Sequence, residues 1–98
     1  MRFELSDFVE ADLNAIASYI ACDNPTRAVS LIKEIRAEVR AIARNPLLYR
    51  PRPEIDEDVR MGIVGRYAIL FRIADNRVRI ERVVYGGRDL PALLRGEL

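Results

Sequence analysis

The sequence holds no histidine, no tryptophan, a single cysteine and, among sixteen basic residues, a single lysine. Without histidine, a Ser–His triad, a histidine general base and a zinc site of ordinary ligand composition are all out of reach. Cys22 has no cysteine to pair with, so no disulfide can form within the chain and a reducing compartment suits it. Long apolar runs are missing too. Nothing approaches the roughly 18 residues of a membrane span and no signal peptide opens the chain, so a cytoplasmic protein with no membrane partner is expected. Nor is there an excess of charge: sixteen basic residues meet fifteen acidic ones, for a net +1. That balance argues against a protein that wraps nucleic acid by bulk electrostatics.

What is present suffices for one folded domain spanning residues 1–98. Half of the 98 residues are apolar, enough for a core without staples and too many for a disordered chain. Fifteen of the basic residues are arginine, with Lys33 the exception. Arginine's planar fork suits recognition of carboxylate or phosphate; a genome rich in arginine codons gives the same count.

Hydrophobic periodicity then orders the elements. Met1 to Leu5 reads as a short strand, Phe3 and Leu5 on one face. Ser6 offers a cap for a first helix whose stripe is Val9, Leu13, Ile16, Ala17 and Ile20, with Asp12 and Asn14 expected on the opposite side. Asn24-Pro25 caps and starts a second helix carrying Ala28, Leu31, Ile32, Ile35, Val39 and Ile42 inward, and Asn45-Pro46 ends it. Residues 46–58 form a proline-stiffened surface loop with an acidic run from Glu54 to Asp58 that can pair with Arg50 and Arg52. The period then changes to two. Strands beginning at Val59, Tyr67 and Val78 are separated by turns at Gly65-Arg66 and Asp75-Asn76, an antiparallel meander. Alternation falters at Arg82-Val83-Val84, where a bulge or a change of face is expected. Gly86-Gly87 closes the strand and Asp89 caps a short last helix with Leu90, Leu93 and Leu94 apolar. The class is α+β, in the order β-α-α-β-β-β with a short C-terminal helix, a helical hairpin on a small, mainly antiparallel sheet. The position of the first strand in the sheet is not legible from pattern.

For catalysis the residues offer little. Ser6 reads as a cap, Ser18 and Ser30 lie within helices, and neither they nor Thr26 and Cys22 have an evident activating base. The four carboxylates of the loop read as a solvated turn, and neither a metal nor a cofactor is expected. Arg60, Arg66, Arg72, Arg79, Arg82 and Arg88, with Tyr67 and Tyr85, sit in or beside the meander. If the helices cover one face, several of these should lie on the other, as a surface for RNA backbone, a protein partner or an acidic peptide. Keeping an exposed sheet soluble explains them equally well.

The string from Arg66 to Ile73, followed by Val78 to Asp89, resembles the tail of ParE-type toxins of the ParE/RelE superfamily. There a strand of the form Y-x-I-x-(F/Y)-R-I precedes one ending H-G-x-R-D. The strand, two helices, N-P step and basic proline-rich loop upstream agree. The resemblance implies the toxin half of a type II toxin–antitoxin pair, a bacterial protein linked to plasmid stabilisation and growth inhibition. An antitoxin's acidic or amphipathic C-terminal segment would wrap it, giving a hetero-oligomer. ParE members inhibit DNA gyrase; RelE members cleave mRNA on the ribosome. Where RelE nucleases place an arginine after the central-strand tyrosine this chain has Ala68, and their terminal-helix tyrosine falls near Leu93 or Leu94. The ParE reading is therefore preferred. A nuclease would have to use Tyr85, Arg88, Arg82 and Arg66, and a non-toxic antitoxin-binding module is a third reading. The target-binding candidates are Arg60, Arg66, Arg82, Tyr85 and Arg88. The antitoxin-binding candidates are Arg50, Arg52, Tyr67, Arg72 and Arg79. Arg88, between Gly87 and Asp89, is also a candidate anchor for the last helix.

Overall fold

The computed structural model describes residues 1–96. Its elements are β1 (Arg2–Leu5), α1 (Val9–Ala21), α2 (Pro25–Arg44), a 3-10 turn (Pro46–Leu48), β2 (Arg60–Val64), β3 (Tyr67–Ala74), β4 (Arg77–Tyr85) and α3 (Leu90–Leu94). This is the α+β order expected, a helical hairpin on a four-stranded sheet. The strands run β1-β4-β3-β2, with β1 parallel to β4 and the other pairs antiparallel. Among the described residues no helix is long and apolar enough to cross a membrane.

Local chemistry sets the boundaries. Asn24 accepts a hydrogen bond from the Arg27 N–H at 3.0 Å and Pro25 opens α2; Asp89 does the same for Ala92 at 3.1 Å in α3. In the β3–β4 hairpin Ala74 pairs with Arg77, leaving Asp75 and Asn76 as a two-residue turn. Both adopt positive φ, 53° and 59°, as a type I′ turn demands and as Asp and Asn tolerate. The expected irregularity in β4 is a bulge. Leu70 pairs with Arg82 and Phe71 with Ile80, so Glu81 is the extra residue. Inward parity therefore changes from Val78 and Ile80 to Val83.

Three expectations are corrected. Ser6 does not cap α1, whose cap position is Phe8 with no side-chain bond. Its hydroxyl instead donates to the carbonyl of the bulged Glu81 at 2.6 Å and accepts the Phe8 N–H at 3.3 Å. Asp12 does not face solvent but is 9% exposed. It stands three residues after Val9 and four before Ile16, which places it on the apolar stripe by helical geometry. Finally, the sheet face away from the helices is not an open arginine surface. Ile55, Val59, Ala68, Leu70, Val84, Leu90 and Leu93 form a second core there, under the 50–59 loop and α3. The first core lies between the hairpin and the sheet, with Ile35, Ile42, Ile69, Phe71, Val78 and Ile80 at its centre.

Candidate functional site

Beyond Ile80 the β4 strand has no β1 residue beside it. The exposed backbone there is met by side chains from β1's continuation and α1. Ser6 takes the Glu81 carbonyl, and the Asp12 carboxylate takes the Val83 N–H at 3.0 Å. Asp12 also accepts two hydrogen bonds from Arg82, 2.8 Å from Nε and 2.7 Å from Nη2. The Arg82 guanidinium lies 5.0 Å from the centre of the Phe8 ring. Its hydrogen bonding to Asp12 raises its pKa further above the ordinary arginine value. With a side chain 19% exposed, Arg82 is committed to holding α1 against the bulge.

Past this pin, a cleft of about 660 Å³ opens between α1, the start of α2 and the ends of β3 and β4. Ile16, Ile20, Leu31 and Val83 give it apolar walls, and Arg27, Arg66, Arg88, Tyr67 and Tyr85 line it as well. Tyr67 and Tyr85 are register partners, and their rings meet edge to face with centres 6.4 Å apart. Tyr67 packs against the helix-side core, so the tyrosines mark the open end of that side of the sheet rather than its reverse.

The candidate arginines separate by what they already bind. Arg72 and Arg79 belong to a chain of ion pairs, Glu4–Arg79 at 3.4 Å, Arg79–Glu81 at 3.0 Å, Glu81–Arg72 at 3.6 Å and Arg72–Asp56 at 2.7 Å. Arg52 pairs with Glu54 at 2.7 Å, which lowers the Glu54 pKa. Arg60 donates to the Tyr49 carbonyl. Arg27, which was not among the candidates, is held by Glu34 and Ser30. Arg50, Arg66 and Arg88 make no side-chain hydrogen bond or ion pair among the described residues. Two of these three, Arg66 and Arg88, share the cleft with Tyr67 and Tyr85. Arg88 thus leaves the anchoring of α3 to Asp89 and the apolar contacts of Leu90 and Leu93. Arg50, Arg52, Arg60, Arg72 and Arg79 lie outside the cleft lining. No sequence pattern marks the cleft's apolar walls as a separate feature, because the same helical stripe also supplies the core.

A sequence model of the ParE toxin of type II toxin–antitoxin systems, parDE, matches residues 3–90. The chain belongs to the ParE toxin family. Among solved structures, a chain of the chromosomal ParDE TA system from P. aeruginosa superposes with a TM-score of 0.78 at 20% identity, covering 87% of this chain and 95% of that one. At that identity the likeness establishes a shared fold. No curated protein matches the sequence. In this ParE-family protein the motif-bearing segment from Arg66 to Asp89 supplies both a wall of the cleft and, among the described residues, its two unpaired cations.

Proposed function

We propose that this ParE-family protein acts by docking on DNA gyrase and inhibiting it, with no bond-making chemistry of its own. A cognate antitoxin neutralises it by laying an acidic or amphipathic C-terminal segment into the cleft beside α1, in a hetero-oligomeric complex. Family membership supplies the toxin–antitoxin setting, and gyrase is the target that the resemblance to ParE toxins implies. One observation carries the choice of a binder over a nuclease. The positions at which related RNA-cleaving toxins hold an arginine and a tyrosine are here Ala68 and Leu93 or Leu94; Ala68 and Leu93 are 2% and 5% exposed inside the second apolar core, and Leu94 packs against it. Metal-independent RNA cleavage needs an acid–base pair and cationic stabilisation acting on one phosphate, and packed apolar side chains offer neither. The cleft supports the antitoxin reading because apolar walls beside unpaired arginines suit a segment that folds as it binds.

The RNA-cleaving alternative draws on the gathering of Tyr85, Arg66 and Arg88 in one cleft. Primer extension on cellular mRNA after induction separates the two. Binding predicts no codon-linked cuts. Cuts that vanish in Tyr85→Phe and Arg88→Ala would replace the proposal with a nuclease. Expression without any antitoxin that leaves growth untouched would reduce the protein to an antitoxin-binding module.

A further inference from the structure

We infer that the Arg66–Arg88 end of the cleft is a carboxylate-binding subsite, which fixes the direction of the peptide segment docked there. The inference rests on the reading of the cleft as a peptide groove and adds where the peptide's charge must sit.

The ionised groups of the cleft are not equivalent. Asp12 is occupied by Arg82 and the Val83 N–H, and Arg27 by Glu34 and Ser30. Arg66 and Arg88 are the remaining charged lining residues, and both lack a partner among the described residues. The backbone brings them to one end, since the Gly86 N–H donates to the Arg66 carbonyl at 2.8 Å and joins the β2–β3 turn to the end of β4. Gly65 allows that turn through its φ of 57°. Next to Arg88 the Tyr85 ring lies over Gly87, where an added Cβ would collide with its Cε2 atom. The ring remains 48% exposed. Arg66 and Arg88 therefore line one end of the cleft together with Tyr67 and Tyr85, and among the described residues Asp12 is the one carboxylate in the lining.

The walls decide the class of occupant. Ile16, Leu31 and Val83 are already buried in the first core, so the apolar surface the cleft offers an occupant is that of Ala15, Tyr19 and Ile20 along α1, which suits apolar side chains better than a sugar–phosphate backbone. A polyanion would also follow a continuous run of free cations, whereas among the described residues the cleft's unpaired cations are two and stand at one end. A peptide with apolar side chains along α1 and a glutamate or aspartate at the Tyr85 end satisfies both. Arginine binds a carboxylate through two parallel hydrogen bonds, which at an exposed site gives about a tenfold gain in affinity.

The test uses the full chain and two fluorescent peptides of identical leucine-rich composition, one ending in two glutamates and one in two glutamines, with a single-stranded RNA dodecamer as the third probe. Fluorescence anisotropy at fixed ionic strength should show the glutamate peptide binding about tenfold more tightly. Arg66→Gln and Arg88→Gln should remove that difference while leaving the glutamine peptide's affinity unchanged. Neither arginine has a side-chain partner among the described residues, so the melting temperature of both variants should stay within about 2 °C of the parent. Equal binding of the two peptides, lost on Ile20→Gln, would keep the groove and overturn the subsite. Failure of both peptides to bind would overturn the groove itself and the subsite with it. RNA binding that exceeds the glutamate peptide's and depends on Arg66 and Arg88 would assign the end to phosphate and overturn the inference.

Discussion

Replacing Asp12 with alanine removes one carboxylate that serves three donors, Nε and Nη2 of Arg82 and the Val83 N–H. The Arg82 charge would be left in a site 19% exposed, and the backbone of β4 would lose its partner where β1 no longer reaches. Breaking a buried, hydrogen-bonded pair from one side costs about 3–5 kcal/mol, and the partial exposure of Arg82 places this case at the lower end, about 3 kcal/mol. In a domain of this size each kcal/mol moves the midpoint by about 4–8 °C, so Asp12→Ala should melt roughly 15 °C below the parent by calorimetry. Asp12→Asn retains an acceptor for Val83 and loses the charge, and should fall between the two. Because the cost comes from the stranded guanidinium, the double variant Asp12→Ala/Arg82→Leu should be more stable than Asp12→Ala alone. A shift under about 4 °C for Asp12→Ala, or a double variant less stable than the single, would refute the assignment of this pair as the pin between α1 and the bulge.

Tyr49 is expected to titrate late. Burial, followed by its hydrogen bond to Glu38, pushes its pKa up to about 12, so its stabilising contribution is complete below pH 10 and is lost as the pH rises towards 12. Absorbance titration at high pH should show a step near 12 that disappears in Tyr49→Phe. Gly62→Ala would place a Cβ 3.0 Å from Ile42 Cδ1 and 3.3 Å from Glu38 Oε2, and should cost about 1–3 kcal/mol in urea denaturation through overpacking. Leu93→Ala should cost about 2–4 kcal/mol despite lying in a five-residue helix, since it empties part of the second core; a cost below about 1 kcal/mol would mean that α3 does not pack there. Gly87→Ala should keep the fold but displace the half-exposed Tyr85 ring, detected as loss of the ring-current shift on Tyr67.

Much of the fold could be read from the residues because local signals agreed with the global packing. Asn24-Pro25, Asp75-Asn76 and Asp89 each have a local physical role that pattern reveals. The bulge was visible as a fault in the alternation after Glu81. The place of β1 was not, since its parallel pairing with β4 depends on where the helical hairpin returns the chain. Asp12 was misplaced because its charge outweighed its position, although spacing from Val9 and Ile16 put it on the buried stripe. The second core left a trace in Ala68-Ile69-Leu70-Phe71, a continuous apolar run that marks a strand covered on both faces. The division of the arginines into paired and unpaired could not have been read at all. Ion pairs such as Arg82–Asp12 and Arg72–Asp56 join residues 70 and 16 positions apart, and only the folded chain brings them together.

The central claim, a toxin that works by binding gyrase, is tested most directly by adding purified protein to a DNA gyrase supercoiling reaction. Inhibition at micromolar concentration is the predicted result, with relief when antitoxin is supplied. Uninhibited supercoiling at that concentration, together with site-specific mRNA cuts in induced cells, would contradict it.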